Sequence, residues 1–472
     1  MIKDYYELRY IETNSIKSGS FSLFDDLEDR ITLLDFLEKK DRILLLGNPG
    51  VGKSTELDVV FNKLWQNIDV NQEIPIFLNL KNFRLTTTIE DLILDKEWTQ
   101  LPSVIFIFDG LDEIAAIQNF ISELEIFMIK YQKLKIKYIL SCRTNIYEKY
   151  LIDISGFEIT HLKYLSVDQI KSILKNKFDL DISFEEIRTR ESILQTPFNL
   201  DLFAEYYLEN GGFPSTIEES WALFISKEIA IAKEKLIKRF TVIESKIISD
   251  CKKVAVVNEL MQQNIISENH LYELLGDRGI EIFQEIPFIE KELDSKNFIF
   301  RHKNFQEYFA AQYIADLDAD DIITFIKAED LDKIKPSLFN TTTFLLNVLS
   351  EEKFEKLRHW LFENDLEVLF LADDNRLTAS FQNEIFEKYY QDQCINKTFW
   401  LANNGKLKID TMAKYANFEF LINEINNQQR LERNRISLIE VISYKGLSDA
   451  QKEIVKNLFV ELIKKESTFF SI

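Results

Sequence analysis

Cysteine, proline and glycine are all scarce in this 472-residue chain, and each scarcity excludes something. The three cysteines, Cys142, Cys251 and Cys394, are scattered and odd in number, which excludes a disulfide scaffold and suits a reducing cytosol. With 12 glycines and 7 prolines there are few residues for tight turns, which favours long helices over a many-stranded sandwich. No apolar run approaches the ~18–20 residues that a membrane-spanning helix needs. The opening Met1-Ile2-Lys3-Asp4-Tyr5-Tyr6 lacks the apolar core of a signal peptide, so a soluble, cytoplasmic protein is expected. Positive charge is also in deficit. Lys+Arg number 57 against 78 Asp+Glu, a net −21, which argues against a protein that coats nucleic acid or anionic membrane through its overall field.

What is abundant is material for a core. Hydrophobic residues make up 46% and aromatics 13%, which excludes disorder; at roughly 100–200 residues per domain, three or four domains or subdomains are expected. Short β-branched, apolar runs recur early: Arg42–Leu46, Ile74–Leu80, Val104–Phe108, Lys137–Ser141 and Phe157–Leu162, with helical patterns between them. That alternation predicts a parallel sheet with helices on both faces. After residue 165 helical periodicity takes over, opened by Ser166-Val167-Asp168-Gln169, which reads as a capping box. Ile286–Glu290 and Asn297–Arg301 flank the polar turn Glu292–Lys296, two short strands among helices that resemble the wing of a winged helix. Beyond 317 come amphipathic helix pairs, Ser337–Leu349 with Lys353–Glu363, Ala379–Gln391, and Phe418–Ile425 with Arg430–Ser443, then Ser448–Glu466. Their spacing resembles an α-solenoid of the HEAT kind, without a strict repeat.

The strongest chemical signal is Gly47-Asn48-Pro49-Gly50-Val51-Gly52-Lys53-Ser54-Thr55, directly after a strand and before a helix. Backbone N–H groups can wrap a phosphate only where side chains are absent, and a helix N-terminus adds its dipole. Three of the 12 glycines fall in this one loop. Lys53 is expected to reach the β- and γ-phosphates, and the Ser54 hydroxyl to ligate Mg²⁺. The second signal is Val104-Ile105-Phe106-Ile107-Phe108-Asp109-Gly110-Leu111-Asp112-Glu113. An apolar strand ending in acid places carboxylates where open α/β sheets hold ligands. Asp109 is the expected second Mg²⁺ contact, and Asp112 and Glu113 are placed to orient or deprotonate an attacking water. His161, His270 and His359 have no partners at metal-ligand spacing, and the acidic run Asp316–Asp321 reads as a solvated helix start.

Asp109–Glu113 resembles the extended Walker B of NACHT ATPases, a STAND branch of the AAA+-like P-loop (ASCE) proteins. Three further segments resemble that family in order: Ile139–Thr144, whose Arg143 would read the γ-phosphate; Gln195–Leu200, whose Pro197 would pack on adenine; and Phe300–Ala311, whose His302 would touch the ADP β-phosphate. Tyr10-Ile11-Glu12 resembles the approach segment beside the base. The resemblance implies an approach segment over 1–40, a P-loop NTPase core over 41–165, a helical subdomain over 166–235 and a winged helix over 236–316, followed by a helical HEAT-like region over 317–472. No N-terminal effector domain is expected in the short stretch before the first strand.

By that resemblance the chain would be a slow ATPase, with ATP/ADP and Mg²⁺ as cofactors, used as an ADP-off, ATP-on switch. It would oligomerise with itself when its C-terminal region binds a protein trigger, in bacterial antiphage defence or stress signalling. A STAND transcription regulator binding DNA through its winged helix, and a non-signalling P-loop enzyme or scaffold, are the alternatives. The net charge stands against the first, and nucleic acid is disfavoured as a partner.

Overall fold

The structure is a computed structural model and describes residues 5–13, 31–68, 73–84, 86–114, 117–144, 146–147, 154, 156–214, 216–236, 244–291, 296–373, 376–397 and 409–465. Six strands form one sheet: β1 (Ile11–Thr13), β2 (Arg42–Leu46), β3 (Ile74–Asn79), β4 (Val104–Asp109), β5 (Ile136–Cys142) and β6 (Glu158–Leu162). Their order is β1-β6-β2-β5-β4-β3, parallel throughout except that β1 runs antiparallel to β6.

Alternate residues of the central strands serve two separate cores. Leu44, Leu46, Phe106, Phe108 and Leu140 pack with Phe120, Leu124 and Phe127 of the helix Ile117–Lys130. Ile43, Leu45, Ile105, Ile107 and Ile139 pack on the other face with Leu57, Val60 and Leu64 of the helix Lys53–Gln66. Burial on both sides is why these strands read as unbroken apolar runs. Each fully buried Phe stabilises the sheet by about 1.5–3 kcal/mol.

One strand is not among those the sequence suggested, and another starts later than expected. The segment expected as an approach beside the base, Tyr10-Ile11-Glu12, contributes to edge strand β1, with Ile11 opposite Leu162 and Glu12 opposite His161. The strand expected at Ile286–Glu290 begins only at Ile289, although Ile286 and Phe288 are buried in the same core. Strands this short have too few residues for periodicity to reveal, and their pairing is decided by the surface they meet.

A second, antiparallel sheet of β7 (Ile265–Ser267), β9 (Asn297–Phe300) and β8 (Ile289–Lys291) lies in that order. It shares an aromatic core with the helices Ile217–Leu236, Glu244–Leu260, Glu268–Phe283 and Lys303–Ala315, built around Trp221, Phe283, Phe288, Phe298, Phe305 and Tyr308. Most of the polar turn between β8 and β9 lies outside the described residues.

Contacts divide the chain into two compact units. The first runs to Leu317 and includes Pro336–Val348; the second comprises Asp318–Lys335 and the chain from Leu349 onward. The sequence pattern pairs the helix Phe339–Val348 with the one over Lys353–Glu363. Instead it belongs to the first unit, where Phe344 meets Trp221 and Tyr308 edge-on at 5.3 and 5.8 Å. An aromatic residue at that position gains more from an existing aromatic core than from a helical neighbour alone. The second unit is helical, from Ala319–Ile326 through Glu351–Asn364, Ala379–Tyr390, Phe418–Asn426 and Glu432–Ser443 to Asp449–Lys465. Among the described residues, no helix is long and apolar enough to cross a membrane.

Candidate functional site

The C-terminal ends of β2, β4 and β5 lie side by side because β5 is inserted between the other two. The loop after β2 is shaped by its glycines. Gly50 and Gly52 sit at φ +74° and +94°, and a Cβ on Gly47 would lie 2.7 Å from Val51 Cγ1. Gly52 caps the helix that begins at Lys53, so Lys53, Ser54 and Thr55 form its first turn. Left-handed glycines next to the N-terminus of a 14-residue helix form a concave set of N–H donors that fits a phosphate. Lys53 Nζ donates to Gly47 O at 2.7 Å. Burial pushes the ammonium below its ordinary pKa; Asp112 and Asp109 oppose that, whereas Arg143 adds to it. Strand pairing brings these residues to one end of the sheet although they stand far apart in sequence, since Leu46 pairs with Cys142 and Phe108 with Leu140.

On β4, Asp109 Oδ1 accepts from Ser141 Oγ at 2.6 Å, and Ser141 Oγ accepts from the Gly110 N–H at 2.9 Å. Gly110, at φ +88°, turns the chain into a short 3-10 segment, Leu111–Glu113. The two acids of that turn have different surroundings. Asp112 is engaged by Arg143, whose backbone N–H donates to Oδ1 at 2.9 Å and whose Nε lies 2.8 Å from Oδ2. Glu113 has its pKa pushed up to about 7 by burial and by the charges of Asp112 and Asp109. A carboxylate poised near neutrality on the turn that follows β4 is suited to proton transfer with water. Ser54 and Asp109 supply a hydroxyl and a carboxylate. Among the described residues no cluster of His, Cys, Asp or Glu forms a metal cage. That donor set suits Mg²⁺, which is commonly held by few protein ligands together with phosphate oxygens.

Arg143 is the hinge of the electrostatics. Its Nη1 lies 2.7 Å from Glu307 Oε1, on the helix Lys303–Ala315. The side chains of Arg143 and Glu307 are only 9% and 1% exposed. Burial alone would lower the arginine's pKa, yet Glu307, Asp112 and Glu113 together raise it above its ordinary value. Asn340 Nδ2 also donates to Glu307 Oε1, at 3.2 Å.

The loop's outer side meets other modules of the same unit. A Cβ on Gly52 would come within 3.5 Å of Pro197 Cγ, and one on Gly50 within 3.4 Å of Phe198 Cβ and 3.7 Å of Asn304 Nδ2. Pro197 opens the helix Pro197–Asn210, the position where its missing N–H costs nothing. His302 is the N-cap residue of the helix Lys303–Ala315, and its ring stands edge-on to Phe198 at 5.8 Å. Burial and the charge of Arg301 push its pKa below the ordinary value. Pro197 and Phe198 therefore lie against the glycine loop, and His302 lies against Phe198.

Sequence reasoning missed several participants. Arg9 is 5% exposed; its Nη1 donates to Val51 O at 2.9 Å and its Nη2 donates to Lys163 O. Ser141 and Glu307 lay inside recognisable motifs without an assigned role, and Asn340 lay in none. Nothing in one sequence signals a pair separated by 164 positions, as Arg143 and Glu307 are.

No protein-family model matches this sequence, and no curated protein matches it. Solved structures similar to it include the ORC1 protein of Aeropyrum pernix in complex with DNA, at 14% identity and TM-score 0.29, covering 58% of this chain and 86% of that one. A STAND protein with a tetratricopeptide repeat sensor from Pyrococcus horikoshii has 14% identity and TM-score 0.26, covering 92% of this chain and 70% of that one. The RuvB Holliday junction branch migration motor of Thermotoga maritima has 17% identity and TM-score 0.26, covering 55% and 84%. Similarity this low leaves the function to be read from the chain's own residues.

Proposed function

We propose that this chain is a NACHT-type STAND ATPase acting as a nucleotide-controlled switch, off with ADP and on with ATP. The observation that carries the reading is the packing around the loop. A glycine loop shaped for phosphate leaves too little room beside Pro197, Phe198 and Asn304 for more than a methyl group, while Arg143 is shared between Asp112 and Glu307. A group bound in that loop would therefore act on the sheet and on two helical elements at once.

In this reading Gly47, Asn48, Pro49, Gly50, Val51 and Gly52 surround the phosphates, and Lys53 neutralises the β- and γ-phosphates. Thr55 extends the first helical turn. Ser54 and Asp109 hold Mg²⁺, which when bound offsets charge on the phosphate oxygens. Glu113 accepts a proton from the attacking water, and Asp112 orients that water once Arg143 releases it. Arg143 reads the terminal phosphate, Pro197 packs on the base, and His302 approaches the ADP β-phosphate. The part containing β7, β8 and β9 is the winged helix, residues 236–316 in the proposed division. The chain from 317 is a HEAT-like region that receives a protein trigger. Self-assembly in the cytoplasm, for bacterial antiphage defence or stress signalling, is the output that the motif resemblance supports.

The energetics require more than the nucleotide. Moving a two-state equilibrium from 1:99 to 99:1 needs about 5.5 kcal/mol of differential affinity. Charge-assisted hydrogen bonds through Arg143 and His302 supply about 1.5–3 kcal/mol each. A trigger bound elsewhere on the chain supplies the rest. The test is binding of fluorescent ADP and ATP to the full chain and to Lys53→Ala, followed by size-exclusion chromatography with ATP. Lys53→Ala should lose at least about 100-fold in affinity, because a buried charge–phosphate contact is removed. Unchanged affinity would reject the loop as the nucleotide site.

A further inference from the structure

We propose that Glu307 sets the preference of the site between nucleoside di- and triphosphate, because its carboxylate competes with a terminal phosphate for Arg143; this rests on the nucleotide reading of the loop. Arg143 directly follows β5, whose last residue Cys142 pairs with Leu46 just before the phosphate loop, and its Nε lies 2.8 Å from Asp112 of the acidic turn. An anion bound against Lys53 therefore acts on the same guanidinium that Glu307 holds at 2.7 Å. The carboxylate brings one negative charge to the arginine and a terminal phosphate brings close to two, so the phosphate is the stronger partner where both reach it.

The tether is built to be exchanged. Glu307 Oε2 has no hydrogen-bond partner among the described residues, although the side chain is buried. Half of the carboxylate's bonding capacity is thus unused, so Oε2 can accept from another donor when Arg143 turns to a phosphate. A replacement partner is near. Lys303 lies one helical turn earlier on the same helix, at the i,i−4 spacing at which side chains meet. Lys303 also lines the polar cavity that contains Glu307, Glu259, Gln306 and Asn340. The exchange has a second consequence, because Arg143 Nε and N–H also occupy both oxygens of Asp112. Turning the guanidinium away from Glu307 toward a phosphate would loosen Asp112 as well, so that nucleotide discrimination and the freeing of a carboxylate are coupled.

The experiment compares full-length wild type with Glu307→Gln, measuring the ratio of affinities for a non-hydrolysable ATP analogue and for ADP. Amide hydrogen exchange over Lys303–Ala315 without nucleotide is the second readout. Glu307→Gln keeps the shape and removes the charge, so the triphosphate-to-diphosphate ratio should rise about tenfold and exchange over that helix should increase. A purely structural residue would weaken both nucleotides alike, so an unchanged ratio overturns the proposal. If Glu307→Gln does not fold, Glu307→Asp keeps the charge but withdraws it by one methylene. That variant should shift the ratio in the same direction, and an unchanged ratio there overturns the proposal as well. Wild type that binds neither nucleotide would instead overturn the reading of the loop, and Glu307's role with it. Nucleotide binding that depends on Lys53 but whose ratio ignores Glu307 would overturn this proposal alone.

Discussion

Replacing Arg143 by Ala should strand two buried carboxylates. In the native protein Asp112 and Glu307 lie 2.8 and 2.7 Å from the guanidinium, with side chains 5% and 1% exposed. Removing one member of a buried pair costs about 3–5 kcal/mol, since the charge left behind is neither hydrated nor paired. At about 2 °C per kcal/mol for a unit of this size, the melting temperature should fall by about 6–10 °C. The assay is urea denaturation of the full chain with thermal melts beside it. Adding Glu307→Gln to Arg143→Ala should recover part of the loss, so a double-mutant cycle should give a coupling of about 1 kcal/mol or more. A melting temperature unchanged by Arg143→Ala would refute a buried, charge-paired arginine.

Two further outcomes are expected. Gly52→Ala forces a side chain into φ +94° with Arg9 Nη1 at 3.2 Å and Pro197 Cγ at 3.5 Å. It should cost about 1–2 kcal/mol in unfolding free energy and weaken nucleotide binding; undiminished binding by titration calorimetry would contradict the loop geometry. Glu113, with its pKa pushed up to about 7, must be deprotonated to serve as a base. ATP turnover should therefore climb roughly tenfold per pH unit up to about 7 and then level off, while Glu113→Gln binds ATP without turning it over. A flat profile from about pH 5.5 to about pH 8.5 would remove Glu113 from the proton transfer.

How much was legible in the sequence depended on the range of the interactions. The central parallel strands could be read because burial on both faces makes their runs apolar, as Phe106 and Phe108 show against Ile105 and Ile107 in β4. The phosphate loop could be read because its backbone angles are open only to glycine, a local demand at Gly50 and Gly52. Asp109–Glu113 stood out because acids directly follow an apolar strand. Edge strand β1 and the place of Phe339–Val348 were not legible, since a three-residue strand and an amphipathic helix fit more than one surface.

By itself, then, the order of amino acids determined the elements, the glycine loop and the acidic turn, all of which follow from sterics and polarity within a few neighbouring residues. Only tertiary structure decided who faces whom. It set Arg143 between Asp112 and Glu307, brought Arg9 to the carbonyl of Val51, and stood His302 edge-on to Phe198. The reason is physical: charge pairing and desolvation depend on distance in space, and positions 164 residues apart become partners only when the chain has closed around them.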